Sequence, residues 1–432
     1  MRILDWNSLS APERGEALKR PAQQDAAATA AAAQSIIDRV RREGDAALRA
    51  LTEQFDGVRL DALQVTGREF ALAEASLTAD QHTAIERATD NVRRFHAAQS
   101  RAPLRVETSP GVLCERLSVP IRAVGLYVPA GSAPLPSTAI MLAVPAMLAG
   151  CPVKVMCTPP NGSGAADPAV LVAARRAGIE HIFKVGGAQA VAAMAYGTAS
   201  IAKCAKIFGP GNAYVTAAKI LVAQDVGGAA LDLPAGVSEV MVIADDEAHP
   251  DFVAADLLAQ AEHSPDAQAI LLTTEPALAA AVSREVERQC ALLSRAKILA
   301  VSVGAMRLIV VDCLQAAFDI ANAYAPEHLI LEIREARAWV AKISTAGAVF
   351  LGHWSPETLG DYCSGPNHTL PTYGYAHTYS GLSLEDFQRR ITIQELTPSG
   401  LQGLGPTAKI LAALEGLDGH AAAVTVRLEA LQ

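Results

Sequence analysis

The chain has 432 residues, 51% of them hydrophobic and 19% charged, with a mean hydropathy of +0.22. That length and apolar content exclude a disordered chain, a disulfide miniprotein and a single small module. With 36 Lys and Arg against 45 Asp and Glu, the net charge is −9 and the pI near 5.6, which argues against nucleic acid and makes a small molecule the expected partner.

The opening MRILDWNSLS places Asp5 and Trp6 where a secretion signal needs an unbroken apolar core, so a cytoplasmic chain is expected. Residues 1–23 are expected to form a helical arm. From Ala26 to Gln99 the pattern is helical, and Ile36, Ile37, Val40, Ala47, Leu48, Leu51 and Phe55 fall at spacings suited to one buried face, interrupted by Gly44. The uncharged run Ala123 to Val153 raises the question of a membrane span, but Pro129, Pro134, Pro136, Pro145 and Pro152 break it. A buried loop and helix are expected there, with no membrane partner.

Apolar runs rich in β-branched residues then alternate with helical patterns, the mark of a helix-covered parallel sheet. The first series predicts strands over 153–157, 181–185 and 206–208, with helices over 168–177, 188–196 and 213–223. A second series predicts strands over 239–244, 269–273, 308–311, 329–333 and 348–351, with helices between. The Pro- and Gly-containing stretch Thr397 to Pro406 leads to a helix with Leu411, Leu414 and Leu417, then Asp418-Gly419-His420 and a last short helix. That tail is too small to fold alone and is expected to dock on this or another subunit.

No GxGxxG follows a first strand. Gly186-Gly187-Ala188-Gln189 and Gly209-Pro210-Gly211-Asn212 each lie between a predicted strand and a helix, where free N–H groups suit an anion or a polar cofactor edge. Gln260 and His263, three apart near the end of a helix stopped by Pro265, are either a solvated helix end or two donors to one metal or substrate. Residues Gly360 to His368 concentrate donors in a loop beyond strand 348–351, the carboxyl end at which parallel-sheet enzymes place their sites. Glu327 and His328 set a carboxylate beside an imidazole, suited to oxidising an alcohol and then a hydrated aldehyde, or simply a surface turn. The seven cysteines show no CxxC pair, and Cys363 has no basic neighbour in sequence to lower its pKa, so reduced structural thiols are expected.

Several long runs in order resemble the histidinol dehydrogenase family: Gly125-Leu-Tyr-Val-Pro, Phe208-Gly-Pro-Gly-Asn-Ala-Tyr-Val, Leu233-Pro-Ala-Gly-Val-Ser-Glu-Val, Gln260-Ala-Glu-His, Ala325-Pro-Glu-His-Leu, Gly352-His-Trp-Ser-Pro-Glu-Thr-Leu-Gly-Asp-Tyr and Gly365-Pro-Asn-His-Thr-Leu-Pro-Thr. The likeness runs from about residue 24 to His420. It implies a zinc- and NAD-dependent enzyme that oxidises L-histidinol through an aldehyde to L-histidine. It further implies Gln260, His263, Asp361 and His420 as zinc ligands, His328 as the base for the hydroxyl proton, and Glu327 as the activator of water. Ser238, Glu415 and His368, together with Gln260, His263, His328, Asp361 and His420, are then substrate contacts, and Tyr127, Gln189 and Asn212 are cofactor contacts. The resemblance also implies a homodimer whose tail crosses to the partner's site, carrying Glu415 and His420. Val237 and Ala130 depart from the family's usual Pro and Gly.

The expected fold is therefore α/β, with two incomplete Rossmann-like parallel-sheet modules, a helical N-terminal region and a small C-terminal tail domain. Residues 24–126 with 240–382 are expected to make one discontinuous domain, 127–239 a second, and 383–432 the tail. A related dehydrogenase of another small alcohol, or a zinc hydrolase using Glu327 as its water base, are the competing readings.

Overall fold

A computed structural model describes residues 1–21, 26–130, 133–234 and 236–432. The expected boundary at residues 23 and 24 and Ala235 of the Leu233 run lie outside the described residues. Both predicted series form parallel sheets. One has five strands in the order His181–Lys184, Val153–Thr158, Ala123–Tyr127, Lys206–Phe208 and Ala230–Leu231. The other has six, in the order Arg2–Asp5, Arg307–Val310, Gln268–Thr273, Glu239–Ala244, His328–Glu332 and Ala348–Leu351. Their central strands are buried on both faces, which is why they read as continuous apolar runs.

The uncharged run folds as the strand Ala123–Tyr127 and the buried helix Pro136–Leu148, in which every residue from Ser137 to Ala146 is buried. No helix among the described residues is long and apolar enough to cross a membrane. Gly44, at φ +55°, separates the helices Ala26–Glu43 and Asp45–Asp56. The helices Gly67–Ser76 and Ala79–Ala97 each begin with a capping box, Thr66 with Glu69 and Thr78 with Gln81.

The N-terminal helices share their cores with elements of residues 127–239. Ile37, Val40, Leu48 and Leu51 bury against the helices Gly187–Tyr196 and Ala213–Gln224, and Phe70, Ile85 and Val92 against Pro136–Leu148 and Pro168–Arg176. The N-terminal helices therefore cover the five-stranded sheet. Periodicity reveals that a helix has a buried face, but not which face it meets. The first residues are also not wholly helical: Arg2–Asp5 pairs in parallel with Arg307–Val310 at the sheet's edge, and the helix Ala11–Ala17 follows.

A third sheet was not expected. Leu104–Ser109, Val112–Pro120 and Gln388–Leu396 pair antiparallel, and the strand Gln388–Leu396 is exposed along nearly its whole length. Beyond it the tail forms the helices Pro398–Leu414 and Asp418–Glu429, which pack on each other. Pro406 lies inside the first of these rather than ahead of it.

Candidate active site

Glu327 and His328 form no surface turn; they are 5% and 2% exposed. His328 is the first residue of its strand, so the pair lies at the amino edge of the six-stranded sheet. The peptide of Glu239, first in the neighbouring strand, holds both side chains: its N–H donates to Glu327 Oε2 (2.8 Å), and its carbonyl accepts from His328 Nδ1 (3.1 Å). A carbonyl can only accept, so Nδ1 carries the proton in the neutral ring and Nε2 is left as the basic nitrogen.

Carboxylates surround that ring. Glu357 Oε1 lies 3.5 Å from Nδ1, and Asp361 Oδ1 lies 3.5 Å from Nε2. Burial opposes a charge on His328, but Glu357, Glu327 and Asp361 outweigh it and hold its pKa well above that of a free imidazole. Burial pushes Glu327 up to about 8, and Glu357 likewise to about 8. Burial also acts on Asp361, yet the contact with His328 keeps it below the usual carboxylate range.

Asp361 belongs to the helix Glu357–Tyr362, which follows the strand Ala348–Leu351. The sequence placed this loop at the carboxyl end of that strand; the helix instead carries Asp361 back to His328, whose register partner is Ala348 at the strand's start. The helix Pro250–Ala261 ends just short of His263, whose N–H bonds to the Gln260 carbonyl (3.2 Å). With its NH₂ turned inward, Gln260 donates to the Glu239 carbonyl (3.3 Å) and Glu357 Oε1 (3.2 Å), its nitrogen also standing 3.3 Å from His328 Nδ1. His263 and His368 are both lowered by burial and feel the charge of Asp361. His368 Nε2 meets Thr138 Oγ1 at 3.1 Å, and Asn367 Nδ2 donates to the Met141 carbonyl (2.6 Å). This loop thereby spans to the helix Pro136–Leu148 on the other sheet. A cavity of about 340 Å³ opens here, lined by Asp361, His368, Ala348, Phe350, Phe95 and Ser364 among others. Ser238 immediately precedes Glu239 in the chain, and its carbonyl accepts from Gln268 N (3.1 Å).

The donor chemistry suits a divalent cation. One ligand atom each from His328, Glu357 and Asp361 lies within 4.8 Å of the others. His328 Nε2 and Glu357 Oε2 are buried with no hydrogen-bond partner, a state that costs free energy unless a ligand satisfies them. Nitrogen and carboxylate oxygen are zinc's ordinary donors. Glu357 carried no expected role in the sequence, although its place four residues before Asp361 on a short helix puts both on one face.

The expected cofactor residues sit at the carboxyl edge of the five-stranded sheet. The Tyr127 hydroxyl accepts from Gly187 N (3.0 Å), at the start of the helix that carries buried Gln189. Burial pushes Tyr127 up to about 12, so it stays a neutral phenol. Asn212 caps the helix Ala213–Gln224, its side chain accepting from the N–H groups of Tyr214 and Val215. Gly209, at φ +120°, admits no side chain, because a Cβ there would stand 2.1 Å from the Tyr127 carbonyl. Glu415, just past the first tail helix, and His420, on the second, are exposed, and no hydrogen bond or ion pair of their side chains joins them to His328 or Asp361.

Acid–base groups buried against cation-type donors, tied through His368 and Asn367 to the helix that follows the central strand of a nucleotide-type sheet, suit a metal-assisted, dinucleotide-linked oxidoreductase. The chain is of that class. The family model described as histidinol dehydrogenase matches residues 18–428, and the chain belongs to that family, whose NAD- and zinc-dependent reaction converts histidinol to histidine in histidine biosynthesis. It is 55% identical over 428 residues to a histidinol dehydrogenase of Xanthomonas campestris pv. campestris (strain 8004), covering 99% of each chain. It is 51% identical over 431 residues to that of Aliivibrio fischeri, covering 100% of this chain and 97% of the relative. The crystal structure of histidinol dehydrogenase from Elizabethkingia anophelis superposes with a TM-score of 0.94 at 44% identity, covering 100% of this chain and 98% of the other.

Proposed function

We propose a division of roles within this reaction. His328 in its neutral form, its Nδ1 proton fixed on the Glu239 carbonyl, uses Nε2 to take the proton of the substrate hydroxyl as that carbon is oxidised. Glu327, held by the Glu239 N–H, activates water on the aldehyde before the second hydride transfer. Gln260, His263 and Asp361 would hold zinc, together with His420. When bound, zinc orients and polarises the imidazole and amino group of histidinol. Ser238, Glu415 and His368 contact the substrate, and Tyr127, Gln189 and Asn212 contact NAD across the cleft.

A homodimer completes the site, with Glu415 and His420 reaching the second copy's cavity. The exposed apolar side chains of the tail, Ile410, Leu411 and Leu414 at 63%, 55% and 79%, support a covered tail. A fully active monomer in sedimentation would contradict this part of the reading.

The observation that carries the assignment is the Glu239 peptide gripping Glu327 and His328 at once beside Asp361. The test is NADH formed per L-histidinol consumed, before and after chelation and with zinc restored. About two NADH per substrate, lost on chelation and regained with zinc, is the expected result. One NADH, with aldehyde accumulating in the wild type, removes the role given to Glu327.

A further inference from the structure

The reading of Glu327 and His328 as the proton-transfer pair leaves open what fixes the two backbones that carry them. Arg20, at the end of the N-terminal arm, reaches both. Its Nε and Nη2 pair with the two oxygens of the Glu239 carboxylate, the second at 2.9 Å. The Glu239 side chain is fully buried and the Arg20 side chain only 18% exposed. Nη2 also donates to the Tyr324 carbonyl (2.7 Å) and reaches the Ala325 carbonyl (3.5 Å), while the guanidinium lies over the Tyr324 ring, 3.7 Å from its centroid.

Ala325 is left-handed, at φ +53°, an unfavourable conformation for a residue with a Cβ. It is followed by Pro326 and then by Glu327 and His328. One guanidinium thus grips the turn that delivers the catalytic pair and the residue whose peptide receives both side chains. The Tyr373 hydroxyl donates to the Pro21 carbonyl, which fastens the arm next to Arg20.

On the reading of Glu327 and His328 given above, we propose that Arg20 is a positioning residue for the reaction, a clamp that sets Glu327 and His328 in register with the Glu239 peptide. Only a planar fork makes both the paired contact to Glu239 and the bonds to residues 324 and 325; a lysine supplies the charge but not the fork. Arg20 itself contacts none of the cation-type donors and no residue lining the cavity, so its loss acts on turnover more than on substrate affinity.

The test uses the zinc-loaded full-length enzyme with histidinol and, separately, histidinaldehyde as substrates. Arg20→Met should lower kcat for both by on the order of 10- to 100-fold, the range of a misplaced catalytic group. KM for histidinol should stay within about threefold, because ground-state binding is untouched. Adding Glu239→Gln to Arg20→Met should recover the thermal midpoint, since the buried carboxylate is gone, without recovering kcat. Wild-type kcat in Arg20→Met with only a lower Tm overturns the clamp, and so does a double variant that regains kcat together with Tm. If Arg20→Met does not fold, Arg20→Lys decides: reduced kcat at near-wild-type Tm supports the clamp, and wild-type kcat overturns it. Wild-type enzyme run alongside separates the two levels, because failure to give two NADH per histidinol there removes the underlying reading, whereas normal wild-type stoichiometry with unaffected Arg20 variants removes only the clamp.

Discussion

At the carboxyl edge of the five-stranded sheet, Lys219 and Asp232 form a buried ion pair in which the surrounding groups are fully matched. Lys219 Nζ donates to the Gly209 carbonyl (2.9 Å), and Asp232 accepts from Gly209 N and Leu233 N, each at 2.7 Å. At the amino edge of the six-stranded sheet, Glu327, His328 and Glu357 are packed as deeply beside the half-buried Asp361, yet His328 Nε2 and Glu357 Oε2 have no hydrogen-bond partner. Buried charge with every bond made is scaffold, here shaping the Gly209 loop. Buried charge with bonds left open is poised for something that arrives.

The sharpest way to break that contrast is to change the open cluster. Glu327→Gln keeps the shape and is expected to slow aldehyde oxidation by roughly 10²- to 10⁴-fold, the usual worth of a general base, with aldehyde released after one NADH. His328→Ala should depress both half-reactions. In neither variant should the thermal midpoint fall as far as turnover does; collapse of Tm with residual activity proportional to folded protein would make the cluster scaffold after all.

Lys219→Met probes the closed pair and should do the reverse. Asp232 is then a buried carboxylate without its cation, at a cost of about 3–5 kcal/mol in stability, measured by denaturant unfolding. The surviving folded enzyme should keep much of its kcat and show a raised KM for NAD, because the Gly209 loop has lost its tether.

Asp256, buried beside Glu332, gives the smallest effect and the clearest pH signature. Burial pushes it up to about 7, so between roughly pH 4 and 7 the folded protein holds a proton that the unfolded chain has released. Stability contributed by this group is present below about pH 4 and falls as pH rises to 7, by a few kcal/mol at most. Asp256→Asn should therefore raise Tm at pH 8 and match the wild type at pH 4. Equal differences at both pH values would contradict it.

Much of the scaffold is legible in the chain because its signals are local. Runs such as 240–244 and 155–157 are apolar on both faces, so their strands need no partner to be recognised. The exposed strand Gln388–Leu396 and the edge strand Arg2–Asp5 have no such pattern, so nothing local marks them as strands. In the site, Glu327, His328, Gln260, His263 and Asp361 stand out by residue type and by their likeness to a family. Glu357 and Arg20 do not, since a lone Glu on a short helix and a lone Arg in an arm look like solvated charges.

By itself the sequence determined the alternation of strands and helices, the two parallel modules and the chemistry present, because hydrophobic period and side-chain type act over a few residues. Tertiary structure alone decided that the N-terminal helices cover the five-stranded sheet, and that His328 meets Asp361 at the amino edge of the other. It also decided that Arg20 spans 219 positions to reach Glu239. These depend on which surfaces meet, a matter of global packing and burial that no local pattern encodes.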